Sequence, residues 1–162
     1  MRKISKRQKS KISKRDLPEK QLIRQMRAKV KRDPSVIKKF KEYGVPISEI
    51  DHVHVCFENL DVSAKTKNKK IYINRGLIGK SDPSAYLAHE LVHYLQQSTG
   101  NTEGAEVEDY MQKPTEQEAF KTQHDYKENN EGPGKGDKYI EDVLDYHGKD
   151  GKERKEIEDK IS

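Results

Sequence analysis

Residues 84–97, SAYLAHELVHYLQQ, place Ala88, Leu91, Val92 and Leu95 at i, i+3, i+4 and i+7, which gathers four apolar side chains on one face of an α-helix and scatters them on a strand. The ends carry matching signals. Asp82 is an N-capping residue type, Pro83 suits the first helical position, and Gly100 suits a left-handed helix end. The spacing predicts one helix of about four turns, and any fold must cover its apolar stripe. Cover is scarce: hydrophobic residues make up 31% of the chain, charged residues 38%, and there is no Trp. A small core is expected, which excludes a large barrel or sandwich.

The remaining elements follow from similar patterns. Asp33 and Pro34 read as the cap and first residue of a helix with Val36, Ile37, Phe40 and Tyr43 as its stripe and Gly44 and Pro46 at its end. Val53, Val55 and Phe57 alternate with His54, Cys56 and Glu58, and Ile71 and Ile73 alternate with Tyr72 and Asn74, so two strands are expected. Residues 65–70, with four lysines around Thr66 and Asn68, read as the turn between them. Pro114 opens a further helix expected to reach about residue 126. A break at 129–136, NNEGPGKG, then precedes helical spacing at Tyr139, Ile140, Val143 and Leu144 and a charged helix over 152–161. The expected class is α+β. At 162 residues the chain fits one domain with appendages, divided as 1–32, 33–128 and 129–162.

Charge is segregated. Residues 1–32 hold 14 Lys and Arg against two acids, Asp16 and Glu19, while the whole chain carries only +5. The opening repeats KISKR at 3–7 and 11–15, and from Pro18 onward Leu22, Ile23, Met26 and Val30 give a basic amphipathic helix. Such an arm could contact polyanions or an acidic partner without reading sequence, or could serve the chain's own acidic body. The single cysteine, Cys56, excludes an internal disulfide. No apolar run has the length of a membrane span, and no secretory signal follows the charged start, so a cytoplasmic protein without membrane contact is expected.

The chemistry lies on the 84–97 helix, as His89-Glu90-Leu91-Val92-His93. With 6 His and 16 Glu in 162 residues, this H-E-x-x-H pattern is expected by chance only about 0.02 times. Residues four apart differ by about 40° around a helix, so both imidazoles leave one face a turn apart and could share a Zn²⁺ ion. Glu90, turned about 100° from His89, could act as a base toward water at the metal without ligating it. Catalytic zinc sites use three protein ligands, so a third is needed downstream. Glu118 is the first choice, Glu116 the next and His124 the third. Thr115-x-x-Glu118 also matches a capping box, which would give Glu118 a merely local role.

The run Ala88-His89-Glu90-Leu91-Val92-His93-Tyr94-Leu95-Gln96-Gln97, followed about 25 residues later by Glu116-x-Glu118-Ala119, resembles the gluzincin zinc metallopeptidases, and most closely small domains with A-H-E-x-x-H-x-x-Q-Q after an edge strand. The resemblance covers roughly residues 60–126 and departs where Phe120 replaces the acidic residue that often follows Glu-Ala. It implies a zincin-like fold, a short mixed sheet packed on the H-E-x-x-H helix with a glutamate-bearing helix after it. It implies His89, His93 and Glu118 as zinc ligands and Glu90 as the base. Lys70-Ile71-Tyr72-Ile73-Asn74 takes the place of the strand that pairs with substrate.

The expected activity is zinc-dependent hydrolysis of peptide bonds, with Ile71, Tyr72, Ile73 and Asn74 along the substrate and an oxyanion stabiliser drawn from Tyr126, Tyr110, Tyr94 and His124. His52, His54 and Cys56 read as surface or packing residues, and the C-terminal helices either cover the core or dock a partner. Two other readings stand beside the enzyme: a peptidase-like binding or assembly protein, phage-encoded and virion-associated, and a basic nucleic-acid-associated protein with an incidental H-E-x-x-H.

Overall fold

The structure, a computed structural model, describes residues 18–80 and 82–161, and the KISKR repeat lies outside them. The class is α+β, mostly helical with one three-stranded mixed sheet. No helix among the described residues is long and apolar enough to cross a membrane.

Helix α1 (18–32) leads directly into α2 (Pro34–Glu42). The basic helix is built into the body: Met26 and Val30 are buried in the main core, with Leu22 and Ile23 packed against it. Part of its charge is engaged internally, since Lys29 pairs with Asp82, Lys31 pairs with Asp51, and Arg27 donates to the carbonyls of Ile50 and Asp51. Asp33 caps α2 through the amides of Ser35 and Val36 and accepts from the Asn129 and Asn130 side chains, fastening α2 to the far end of α4.

Strands β1 (His54–Glu58), β2 (Ala64–Lys67) and β3 (Lys70–Asn74) stand in the order β1-β3-β2. β1 and β3 run parallel with Val55 opposite Ile71, and β2 and β3 form an antiparallel hairpin. The lysine-rich stretch read as a turn is largely the strand β2. Only Asn68 and Lys69 turn, both at positive φ (52° and 62°), which suits the right-handed twist of a two-residue hairpin. β3 is therefore the central strand, which corrects its assignment as the edge. Ile71 and Ile73 are fully buried, and main-chain groups on both sides of the strand are taken by β1 and β2.

Helix α3 (Ser84–Thr99) lies on this sheet and ends at Gly100 as expected, but it begins one residue later than its signals indicate, with Pro83 at the cap position instead of in the first turn. Asp82 Oδ1 accepts from Ser84 N at 3.0 Å, and Gly100 closes the helix at φ 75°. Leu87, Ala88, Leu91 and Leu95 join Val55, Phe57, Ile71, Ile73 and Phe40 in the main core. Beside α3 runs α4 (Pro114–Asn130), and beyond it α5 (Lys135–Tyr146) and α6 (Gly151–Ile161), whose Ile140, Leu144, Ile157 and Ile161 form a second cluster with Met111 and Phe120. With neighbours on both flanks, α4 buries polar Gln117, Thr122, Gln123 and His124 and shows no simple apolar stripe.

The expected flexible break is a short, tied turn. Glu128 accepts from the amides of Gly134, Gly136 and Asp137 and so caps α5. Gly136 packs so closely on α4 that a Cβ there would lie 2.3 Å from the His124 carbonyl oxygen. His124 bridges the helices, with Nδ1 2.9 Å from Asp125 and Nε2 2.7 Å from Asp137. Burial alone would lower its pKa, but those two carboxylates, with Glu128 nearby, hold it above the ordinary 6.5. A raised folded pKa adds stability below 6.5 that is lost as pH rises through the folded value. Melting temperature should accordingly fall as pH is raised above 6.5, and His124→Gln should flatten that dependence in a pH series of thermal melts.

Candidate metal centre

His89 and His93 project from one side of α3 with ring centroids 5.1 Å apart. Facing them is Glu116, whose Oε1 lies 3.2 Å from His89 Nε2 and 3.0 Å from His93 Nε2. Glu118, the first choice from sequence, turns elsewhere. Two residues along a helix rotate by about 200°, so Glu116 and Glu118 cannot both face α3's histidines. Nor does Glu118 close a capping box, because α4 starts at Pro114 after Lys113. Its carboxylate instead accepts from Tyr43 Oη (2.6 Å), Lys39 Nζ (3.1 Å) and Gln96 Nε2 (2.8 Å). His124, the third choice, lies in the α4–α5 contact.

The other ring nitrogens are held by neutral amides. Gln96 Nε2 donates to Glu118 and to the Thr115 carbonyl, so the opposite atom of that amide, Oε1, is the one left to accept from His93 Nδ1–H at 2.8 Å. Gln123 Oε1 accepts from His89 Nδ1–H at 2.9 Å. Both Nε2 atoms are thereby directed at Glu116. Burial works against charging His93, but its hydrogen bond to Glu116, that carboxylate's charge and Glu90 behind it push the pKa up to about 9. Glu116 is held far below the usual carboxylate range by the two imidazoles, against the effect of its own burial. Its place in the first turn of α4 favours the anion too.

The three donor atoms meet the demands of a cation. They lie within 4.8 Å of one another, and the 3.0–3.2 Å separations from Glu116 Oε1 approach the roughly 3.3 Å edge of a tetrahedron of N and O donors around zinc. Once a cation displaces the His93 proton, two imidazoles and one carboxylate, with the outer nitrogens already engaged, form a donor set that could hold a divalent metal ion. The second such group, His124, Glu128 and Asp137, has its donors occupied by the α5 cap and the imidazole bridge.

Glu90 sits beside the pair, its Oε1 accepting from Thr66 Oγ1 at 2.8 Å, so β2 fixes the carboxylate. All four residues border one open cleft of about 1070 Å³, between β2 on one side and α5 on the other. No family model, curated protein or solved structure matches the chain. What the chain can do therefore rests on the chemistry of this cleft.

Several expected site residues lie elsewhere. Tyr126 is fully buried in the main core and does not border the cleft, and Tyr94 packs against the same core. Of the tyrosines weighed from sequence, Tyr110 reaches the site. It comes in on the loop after α3, packs edge-on to Phe120 at 5.9 Å and stacks on His147 at 5.3 Å. Partial burial of the phenol and the adjacent Glu116 carboxylate push its pKa up, keeping the hydroxyl protonated. Ile71, Tyr72 and Ile73 do not border the cleft, and Asn74 does. His52 and His54 are exposed near β1, and Cys56 is half-buried there. Phe120, where an acid often stands, packs edge-on against His89 at 4.6 Å.

Sequence reasoning passed over Gln123, Thr66 and the role of Gln96. Helical spacing carried a signal for the first, because Glu116, Phe120 and Gln123 fall at i, i+4 and i+7 on one face of α4. Gln96, three residues after His93, shares its face in the same way. Thr66 reaches Glu90 only through the sheet order, which no local pattern encodes.

Proposed function

We propose that this chain is a zincin-like, zinc-dependent peptidase with His89, His93 and Glu116 as metal ligands and Glu90 as the general base. The observation that carries the reading is the convergence of both imidazole Nε2 atoms on one carboxylate oxygen in an open cleft, with a second carboxylate fixed alongside. Zinc bound there would supply Lewis-acid chemistry, activating water and polarising a scissile carbonyl.

The chain's own groups do the rest. Glu90 takes a proton from water and returns it to the departing amine, and Thr66 holds one carboxylate oxygen so that the other faces the reaction. Tyr110, protonated and beside Glu116, is placed to donate to the carbonyl oxygen as negative charge builds there. It replaces Tyr126 in that role.

The peptide lies along β2. Lys67 is paired with Lys70 across the tight turn, and Asn74 N donates to Ser63 O at 2.8 Å, so residues 63, 65 and 67 face β3 while Ala64 and Thr66 turn their main-chain groups outward. Gln97 already occupies the Thr66 carbonyl. An extended substrate adds to the remaining outward groups, an attachment through main chain that leaves side-chain choice to the rest of the cleft.

Purified protein should hold one zinc per chain and cleave an unfolded protein substrate. A chelator should stop cleavage and added zinc should restore it. Zinc-loaded protein that cleaves no peptide would overturn the reading in favour of a binding or assembly role.

A further inference from the structure

The α5 side of the cleft is aromatic and largely uncovered. Among the described residues, the large apolar or aromatic side chains that stand exposed are Val62, Ile78, Tyr110 and Tyr146, and three of them, all but Ile78, border this one cleft. Tyr146, the last residue of α5, is 87% exposed at the rim of this cleft. Its neighbour His147 lies edge-on to it and stacks on Tyr110, so a row of rings runs from the rim through Phe120 to His89.

Beneath the row, Tyr86 and Tyr139 meet edge-on at 6.2 Å and bring their phenols to the cleft. Gln123 provides a second, independent observation. It is 1% exposed and borders the same cleft, yet its Nε2 makes no hydrogen bond of good geometry, although it lies near enough to bias the Tyr139 phenol. A buried amide donor beside a metal ligand, with only the poorly aligned Tyr139 phenol near it, gains from a bound group that supplies a better acceptor.

Resting on the peptidase reading, we infer that the α5 side of the cleft is a side-chain pocket for an aromatic residue of the substrate, tyrosine foremost. Ring-on-ring packing along Tyr146, Tyr110 and Phe120 selects flat apolar groups. The phenols and the Gln123 donor favour a ring that carries an oxygen over one that does not. The occupant is continuous with the strand edge. A peptide laid on Ala64 and Thr66 borders the same cleft as Glu90 and His89, and Tyr139, Asp142, Val143 and Tyr146 of α5 line its opposite wall.

Two measurements test the pocket separately from the chemistry. The first is equilibrium binding of labelled, end-blocked peptides to the zinc-loaded Glu90→Gln protein, in a set differing at one central position: Tyr, Phe, Leu, Ala, Lys or Asp. The Tyr and Phe peptides should bind roughly tenfold or more tightly than the Ala, Lys and Asp peptides, and Tyr146→Ala should narrow that gap. Equal affinity across the set overturns the pocket. So does loss of self-association in Tyr146→Ala, which would assign the exposed ring to a second copy of the chain. The second measurement is cleavage of the same set by the unaltered protein. Cleavage without aromatic preference overturns the pocket and leaves the peptidase, whereas aromatic-selective binding without any cleavage overturns the peptidase and leaves the pocket.

Discussion

Replacing Glu116 by Gln should remove tight zinc binding, while Glu118→Gln should only weaken it. Glu116 is the sole carboxylate within hydrogen-bonding distance of both His89 and His93 among the described residues. Its amide variant would leave two imidazoles and a weak carbonyl donor where the ion needs charge. Glu118 acts two bonds away. It holds Gln96, which holds His93 Nδ1, and is itself anchored by Lys39 and Tyr43. Loss of such an outer partner costs roughly 10–100-fold in metal affinity, and loss of the ligand itself should cost well beyond that range. Competition titrations against a chromophoric chelator would rank the two variants, with thermal melts of the metal-free proteins showing that both still fold. The reverse ranking would transfer the ligand role to Glu118 and demand a different α4 orientation.

Glu90→Gln should separate binding from chemistry. The side chain differs by one group, its amide oxygen can still accept from Thr66, and no zinc donor is touched. Zinc content should stay at one per chain, and kcat/KM for peptide cleavage should fall by about 10²–10⁴, the usual contribution of a positioned general base. Thr66→Val would release the carboxylate without removing it and should give a smaller loss. Full activity in Glu90→Gln would place the base elsewhere.

The parts of this arrangement that could be read from the sequence are those encoded within one helical element. In α3 the Asp82 carboxylate at the first turn, the stop at Gly100, the apolar stripe and the paired histidines all depend on neighbours within a few turns. The choice between Glu116 and Glu118 depended instead on which face of α4 meets α3. Because α4 is covered on both flanks, its pattern of buried residues did not mark one face. The strands gave a similar result. Alternation marks Val55, Phe57, Ile71 and Ile73 as inward-facing, but alternation is silent on strand order and cannot tell a central strand from an edge. The exposed alternate residues of β2, Lys65 and Lys67, hid a strand inside a stretch that looked like a turn. Tyr110 was one of several tyrosines until the loop after α3 brought it against Glu116 and Phe120.

The two hydrophobic clusters meet at α4, and the banks of the cleft belong to different ones. β2 and the histidine helix are seated on the first, and α5 on the second. A change in residues 135–161 is therefore felt at His89 through Phe120, which packs on both, while β2 and the rest of α3 keep their own seat on the first cluster. On the peptidase reading, substitutions along α5 would alter what the groove admits more than they alter the donor set on the opposite bank.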